Sequence, residues 1–237
     1  MEIIYNKIRE TLKKHYFNLL FCVLISQISA FLLLNIGQGF SQNNIRSVVF
    51  YIIVFFLQAG ISLGIIKCCL QIIDKDSFEP AQIFKQFDFL FSYLLSILVV
   101  AILGVLAFSP TIMLIYNKNT LSLSLSGLDG AIDTIDQIAT SLSATEALFL
   151  SASSLIFFYV LLRFFFVPYF IVDRASPSNN IEALFLSYQL TRGKTLQLLP
   201  MFFILIVLGS LPNIAMFLFL PFTILLPCLY FRNLNKL

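Results

Sequence analysis

The sequence predicts an all-α protein, a polytopic transmembrane helical bundle of about six spans with amphipathic interfacial helices. Of its 237 residues, 59% are hydrophobic and 11% charged, with a mean hydropathy of +0.93, whereas soluble domains carry roughly 25% charge. Apolar runs close to the ~20 residues that cross a bilayer recur along the whole chain. They leave no room for a separate soluble domain of ~100 residues, so residues 1–237 are expected to form one transmembrane domain. The basic residues fall at the ends of the apolar runs, which gives the spans an orientation.

Residues 1–15 come first. Ile4, Ile8, Thr11 and Leu12 share one helical face, opposite Lys7, Glu10 and Lys14, the pattern of a short interfacial helix. The apolar run behind it is longer than the core of a signal peptide and lacks a small-x-small exit, so it is expected to be an uncleaved first span. The six spans are placed at residues 17–34, 48–73, 89–115, 148–172, 196–211 and 214–230. With the N-terminus inside, twelve lysines and arginines fall on the cytoplasmic side, and Arg46 and Lys118 fall outside. Both termini are therefore expected in the cytoplasm, with the chain in a plasma membrane. The last two runs, split only by Gly209-Ser210-Leu211-Pro212-Asn213, form either two short spans or a re-entrant hairpin.

Two inner connections share a pattern. One is DKDSFEPAQIFKQFDFLFSYL, beginning at Asp74, and the other is DRASPSNNIEALFLSYQLTRGK, beginning at Asp173. Each opens Asp, basic residue, one residue, Ser, and each continues into an apolar stripe: Ile83, Phe84, Phe87 and Phe91, then Ile181, Leu184, Phe185 and Tyr188. The spacing predicts an amphipathic helix on the inner face from each. Asn179 with Glu182 predicts a capping box, and Gly193 a helix stop. On the other side, residues 117–145 form the long outer loop. There Ile132, Ile135, Ile138, Ala139 and Leu142 lie opposite Asp133 and Asp136, which predicts a surface helix with a solvated acidic face; no calcium-loop pattern accompanies it.

The missing chemistry narrows function. His15 is the sole histidine, which removes zinc-protease and serine–histidine constellations. No Gly-x-Ser-x-Gly elbow and no glycine-rich phosphate loop occurs, and every aspartate lies in a loop or at a helix end. The four cysteines, Cys22, Cys68, Cys69 and Cys228, read as small buried hydrophobes without zinc spacing. The expectation is a protein that is not an enzyme, with no cofactor and no metal. A net charge of +3 spread over helix ends gives no nucleic-acid footprint.

One residue resists this bland reading. Arg163 lies inside the aromatic run FFYVLLRFFFVPYF, where an intramembrane charge needs a partner, a water path or a task. Pro168 removes a backbone donor and frees the carbonyl of Phe164, so the helix is expected to kink or end there. Arg163 then either snorkels to the interface, receives an anionic group such as a lipid phosphate or a partner's carboxylate, or pairs within the bundle. Asn35, Gln58, Asn213 and Asp88 are the polar residues in reach of that last reading.

The segment from Arg163 through the following span resembles YciC-like and related bacterial six-span integral membrane proteins. The matching positions are Pro168, Asp173, Ala183, Ser187, Thr191, Gly193 and Lys194. The resemblance implies a bacterial inner-membrane location and brings no established biochemical activity. The candidate ligand or structural residues are Arg163, Pro168, Asp173, Arg174, Glu182, Gly193 and Lys194. A non-enzymatic protein that binds or organises membrane lipid, a partner membrane protein or a second copy of itself is the first expectation. A small transporter or permease component is the alternative, suggested by the broken, proline-containing spans expected at Pro110, Pro168, Pro221 and Pro227. Third is an enzyme acting through Arg163, Asp173 or Glu182.

Overall fold

The structure, a computed structural model, describes residues 2–38, 44–117, 143–173, 179–210 and 213–235. Among these every regular element is a helix or a 3-10 turn. The elements are α1 (Glu2–Gln38), α2 (Asn44–Lys75), α3 (Gln82–Lys85), a 3-10 turn (Gln86–Phe89), α4 (Leu90–Asn117), α5 (Ala144–Phe164), α6 (Val167–Val172), α7 (Asn180–Thr191), α8 (Thr195–Gly209) and α9 (Asn213–Asn235). Among the described residues, three stretches are long and apolar enough to cross a membrane: Val49–Lys75, Gln82–Pro110 and Ala144–Val172. A fourth is possible in composition where α7 and α8 join, but that pair bends by 101°. The outer-loop helix expected around residues 132–142 lies outside the described residues, as does Arg174.

The chain divides into two compact units. One comprises Met1–Ser96 and Phe165–Leu237, the other Ile97–Phe164. In the first unit, α2 packs against α1, α3, α6 and α9, while α9 also packs against α1 and α8. The core holds Leu19, Val23, Leu63, Ile83, Ile171, Leu198, Met201 and Leu225, with Phe166 and Phe231 as its largest members. Phe231 meets Phe166, Tyr169 and Phe170 at ring-centroid distances of 5.8, 5.5 and 4.9 Å. All four cysteines are buried and free in this unit. In the second unit, Phe108 of α4 meets Phe157 of α5 edge to face at 4.9 Å.

Local chemistry sets the helix boundaries. His15 has non-helical dihedrals (φ −119°, ψ 17°) inside α1, so a kink separates the charged first turns from the apolar remainder where the sequence predicts it. α5 ends at Phe164, and α6 restarts with Pro168 in its first turn, where a missing N–H costs least. The other prolines behave differently. α4 runs on through Pro110 and α9 through Pro221 and Pro227, so broken spans at those positions, expected from the sequence, are not formed. Neighbouring groups in an apolar bundle re-satisfy the carbonyls that proline frees.

The first expected inner helix is not formed, and the second forms without its expected cap. Residues 82–91 do not form one amphipathic helix: a single turn, α3, passes into the 3-10 turn before α4 starts. Ile83 is buried there, but so are Gln82 and Gln86, while Phe84 and Phe91 are exposed. The second helix forms as α7, with Asn179 at its N-cap, yet no side-chain cap bond is made, so the capping box is absent. Its buried face is the small one, Ala183, Ser187 and Thr191, and Ile181, Phe185 and Tyr188 point outward. Small residues bring helix backbones close, and apolar ones face the surrounding medium when that medium is lipid.

Gly193 closes α7 with a left-handed φ of +73°, and a Cβ there would touch nothing within 4 Å. Only the dihedral strain therefore opposes a side chain. Gly193→Ala is expected to destabilise by about 1 kcal/mol, read as a thermal shift of a few degrees in detergent; an unchanged transition would mean that the turn relaxes.

Candidate functional site

The polar residues of the first unit gather at one end of its helices. The last turns of α2 carry Lys67, Gln71 and Asp74 at i, i+4 and i+7, one face of a 3.6-residue helix. Lys67 is 6% exposed, and its Nζ donates to the carbonyl of Val172 at the end of α6. That carbonyl is one of the groups a helix C-terminus leaves without an internal donor, so Lys67 fixes the point where Asp173 leaves the helix. Asp173 follows in extended conformation (φ −67°, ψ 130°) and is 1% exposed.

Opposite stands Arg232 of α9, 8% exposed. Its Nη1 donates to Asp173 Oδ2 at 2.8 Å and its Nη2 to Asp173 Oδ1 at 2.7 Å, the paired fork that suits a carboxylate. The same Nη2 donates to Asp74 Oδ2 at 2.5 Å. Burial works against the charge on Arg232, but the bonds to Asp173 and Asp74 outweigh it and hold its pKa above the ordinary arginine value. One guanidinium thus joins the two aspartates that open the two similar connections, DKDS and DRAS.

A second contact lies beside it. Asp76 ends α2 with a left-handed φ of +53°, and its carboxylate takes both Lys14 and His15. Asn18 Nδ2 donates to His15 Nδ1 at 3.2 Å, so His15 Nε2 is the donor to Asp76 Oδ1 at 2.6 Å. The kink in α1 is pinned in this way to the end of α2. Lys194 Nζ donates to the carbonyl of Leu234 at 3.2 Å, tying the start of α8 to the end of α9.

A half-open cleft at this end is lined by Lys67, Leu70, Gln71, Asp74, Lys75 and Arg232. Gln71 is 3% exposed, and neither atom of its amide has a hydrogen-bond partner among the described residues. Arg232 Nε is likewise buried without one. Orphaned buried polar atoms cost about 1–3 kcal/mol each, which marks this place as one where something polar is wanted. Among the described residues no three His, Cys, Asp or Glu side chains group to hold a metal ion.

The residues singled out from sequence are distributed unevenly. Asp173 sits at the centre of this cluster, and Lys194 borders it through α9. Pro168 is half-buried in the first turn of α6, Glu182 is exposed in the first turn of α7, and Gly193 serves the turn. Arg163 belongs to the other unit. It is 8% exposed, its Nη2 donates to Tyr159 Oη at 2.5 Å, and its guanidinium carbon lies 4.6 Å from the centre of that ring. Tyr159, four residues earlier on α5, is a partner that the sequence reading passed over. Of the polar residues proposed for Arg163, Gln58 instead donates to Ser29 Oγ at 3.1 Å. Lys67, Gln71, Asp74 and Arg232 are site residues that the sequence reading does not single out; the first three carry a signal, the i, i+4, i+7 polar stripe at the end of an apolar span, and Arg232 carries none.

Comparison with known proteins supplies no relative: no protein-family model, no curated protein and no solved structure matches the chain.

Proposed function

We propose that this chain is a non-enzymatic protein of the bacterial inner membrane that binds or organises lipid, with both termini cytoplasmic and with the six spans placed from its sequence. The kinship with YciC-like proteins, carried by Pro168, Asp173, Gly193 and Lys194, is part of the same reading. Its main support is the apolar surface. On α2, Tyr51, Ile52, Ile53, Phe55, Phe56 and Leu57 are all exposed, as are Leu98, Ile102, Val105 and Leu106 on α4 and Leu148, Leu155 and Ile156 on α5. Soluble proteins rarely expose contiguous apolar patches beyond a few hundred Å², so a bilayer is the natural cover for helices of this length and hydropathy. A partner membrane protein or a second copy would cover part of the same surface.

Native mass spectrometry of the full chain released from mild detergent tests this, after alkaline extraction of the membrane has shown whether the chain stays with the lipid. Retention on alkaline washing and co-release with phospholipid is the expected result. Release into the wash, or spectra free of any lipid under the gentlest activation, would overturn it. Arg163→Leu run beside the parent shows whether Arg163 contributes: loss of an anionic lipid in the variant would make it a binding residue.

A further inference from the structure

We propose that the cleft between α2 and α9 is a phosphate site, made for a phosphate that carries a hydroxyl group beside it, as in the headgroup of a glycerol-bearing anionic phospholipid. The inference deepens the lipid-binding reading and rests on it for the source of the phosphate. The first ground is charge: Lys67, Lys75 and Arg232 line the cleft against Asp74 alone, and with Asp173 behind it the cluster still holds three cations against two carboxylates. An anion completes the balance.

The donor geometry selects the kind of anion. Arg232 has already committed its fork to Asp173 and Asp74, so the flat bidentate site that favours an incoming carboxylate is taken. What remains for a ligand is scattered: the buried Arg232 Nε–H, the Gln71 amide N–H groups and the Lys75 ammonium; the Lys67 ammonium, engaged by the Val172 carbonyl, adds its charge to the same wall. Separate donors on several sides suit the tetrahedrally arranged oxygens of a phosphate, and lysines serve phosphate as point charges. Gln71 also carries an acceptor, Oε1, without a partner among the described residues. A hydroxyl next to the phosphate donates to it, which a choline headgroup cannot do.

Position supports the lipid source. Lys67 to Lys75 close the candidate span Val49–Lys75, where the hydrocarbon ends and headgroups begin. Basic residues at that depth draw anionic lipid by about 1 kcal/mol each.

The test uses the full chain in a neutral mild detergent, titrated with short-chain phosphatidylglycerol, short-chain phosphatidylcholine and inorganic phosphate, and read by native mass spectrometry. Phosphatidylglycerol is expected to bind, and Gln71→Leu to weaken it about tenfold, the worth of a hydrogen bond to a charged group. Lys75→Gln should weaken it several-fold; Lys75 is exposed, so this variant serves even where Gln71→Leu fails to fold. Phosphatidylcholine is expected to bind more weakly and without response to either substitution. If phosphatidylglycerol binds the parent and both variants equally, the lipid-binding reading stands and the cleft assignment falls. If inorganic phosphate binds as tightly as the lipid and is lost in the variants, the phosphate site stands and the lipid source falls. If neither phosphatidylglycerol nor phosphate binds the parent, both are overturned.

Discussion

Asp173→Asn is expected to destabilise the protein by about 3–5 kcal/mol, the usual cost of removing one partner from a buried ion pair. The substitution keeps the shape of the side chain and deletes only the charge. Arg232 is then left 8% exposed with Asp74 as its remaining carboxylate, and the Asp74 side chain is 38% exposed, so that contact is partly screened by solvent. Asp74→Asn should therefore cost far less than Asp173→Asn. The two variants differ in position by one residue type in two similar motifs, which makes the contrast a direct reading of burial. In detergent the thermal transition of Asp173→Asn should fall by roughly 10 °C while that of Asp74→Asn moves little; equal shifts, or none, would mean that the fork to Arg232 does not organise this end of the bundle. A third variant separates the pair's worth from the harm of orphaning one member. Asp173→Leu combined with Arg232→Met should recover part of the loss, because the apolar replacement removes both members of the fork and leaves neither buried without the other.

That centre was only half visible in the sequence, and the reason is physical. Helix existence follows from local pattern: apolar runs, the proline that restarts α6, the glycine that ends α7, and the polar-to-apolar change at His15 all act within a few residues. Arg232 and Asp173 meet across 59 residues and Arg232 and Asp74 across 158, and spacing carries nothing about such pairs. The shared Asp-basic-x-Ser openings were the one long-range hint, since the first aspartate of each binds the same guanidinium. Which face packs on protein was hidden for a different reason. The apolar stripe Ile181, Phe185 and Tyr188 of α7 stays exposed, as a helix lying on a membrane face requires, and in a chain this hydrophobic an apolar side chain has no preference for protein over lipid. The informative residues were the small and polar ones, Ala183, Ser187 and Thr191 on α7 and Lys67, Gln71 and Asp74 on α2. Arg163 drew attention as the charge deepest in sequence, whereas its neighbour Tyr159 at i−4 supplies a local hydrogen bond.

Gly64→Ala reverses the sign that helix propensity alone gives. In the interior of α2, alanine should favour the helix over glycine by about 1 kcal/mol. A Cβ at Gly64, however, would lie 2.1 Å from the carbonyl oxygen of Ile83 and 2.4 Å from its Cα. Both are backbone atoms of α3, which cannot swing aside as a side chain does. α2 and the 82–89 segment must separate, and overpacking of this kind costs about 1–3 kcal/mol or more. One turn earlier, a Cβ at Gly60 would meet the Phe87 ring at 2.5 Å, a contact relieved by ring rotation, so Gly60→Ala should be the milder of the two. Thermal unfolding of both variants in detergent decides the matter: a lower transition for Gly64→Ala than for Gly60→Ala is expected, and a raised one would show that α3 is not seated on α2. The comparison also bears on the polar end, because Gly64, Lys67, Gln71 and Asp74 share a face of α2. Pushing α3 off that face tilts the helix that carries the cleft, so Gly64→Ala should weaken phosphatidylglycerol binding with no change in any group that touches the lipid, whereas Gly193→Ala, on the turn after α7, should leave it intact.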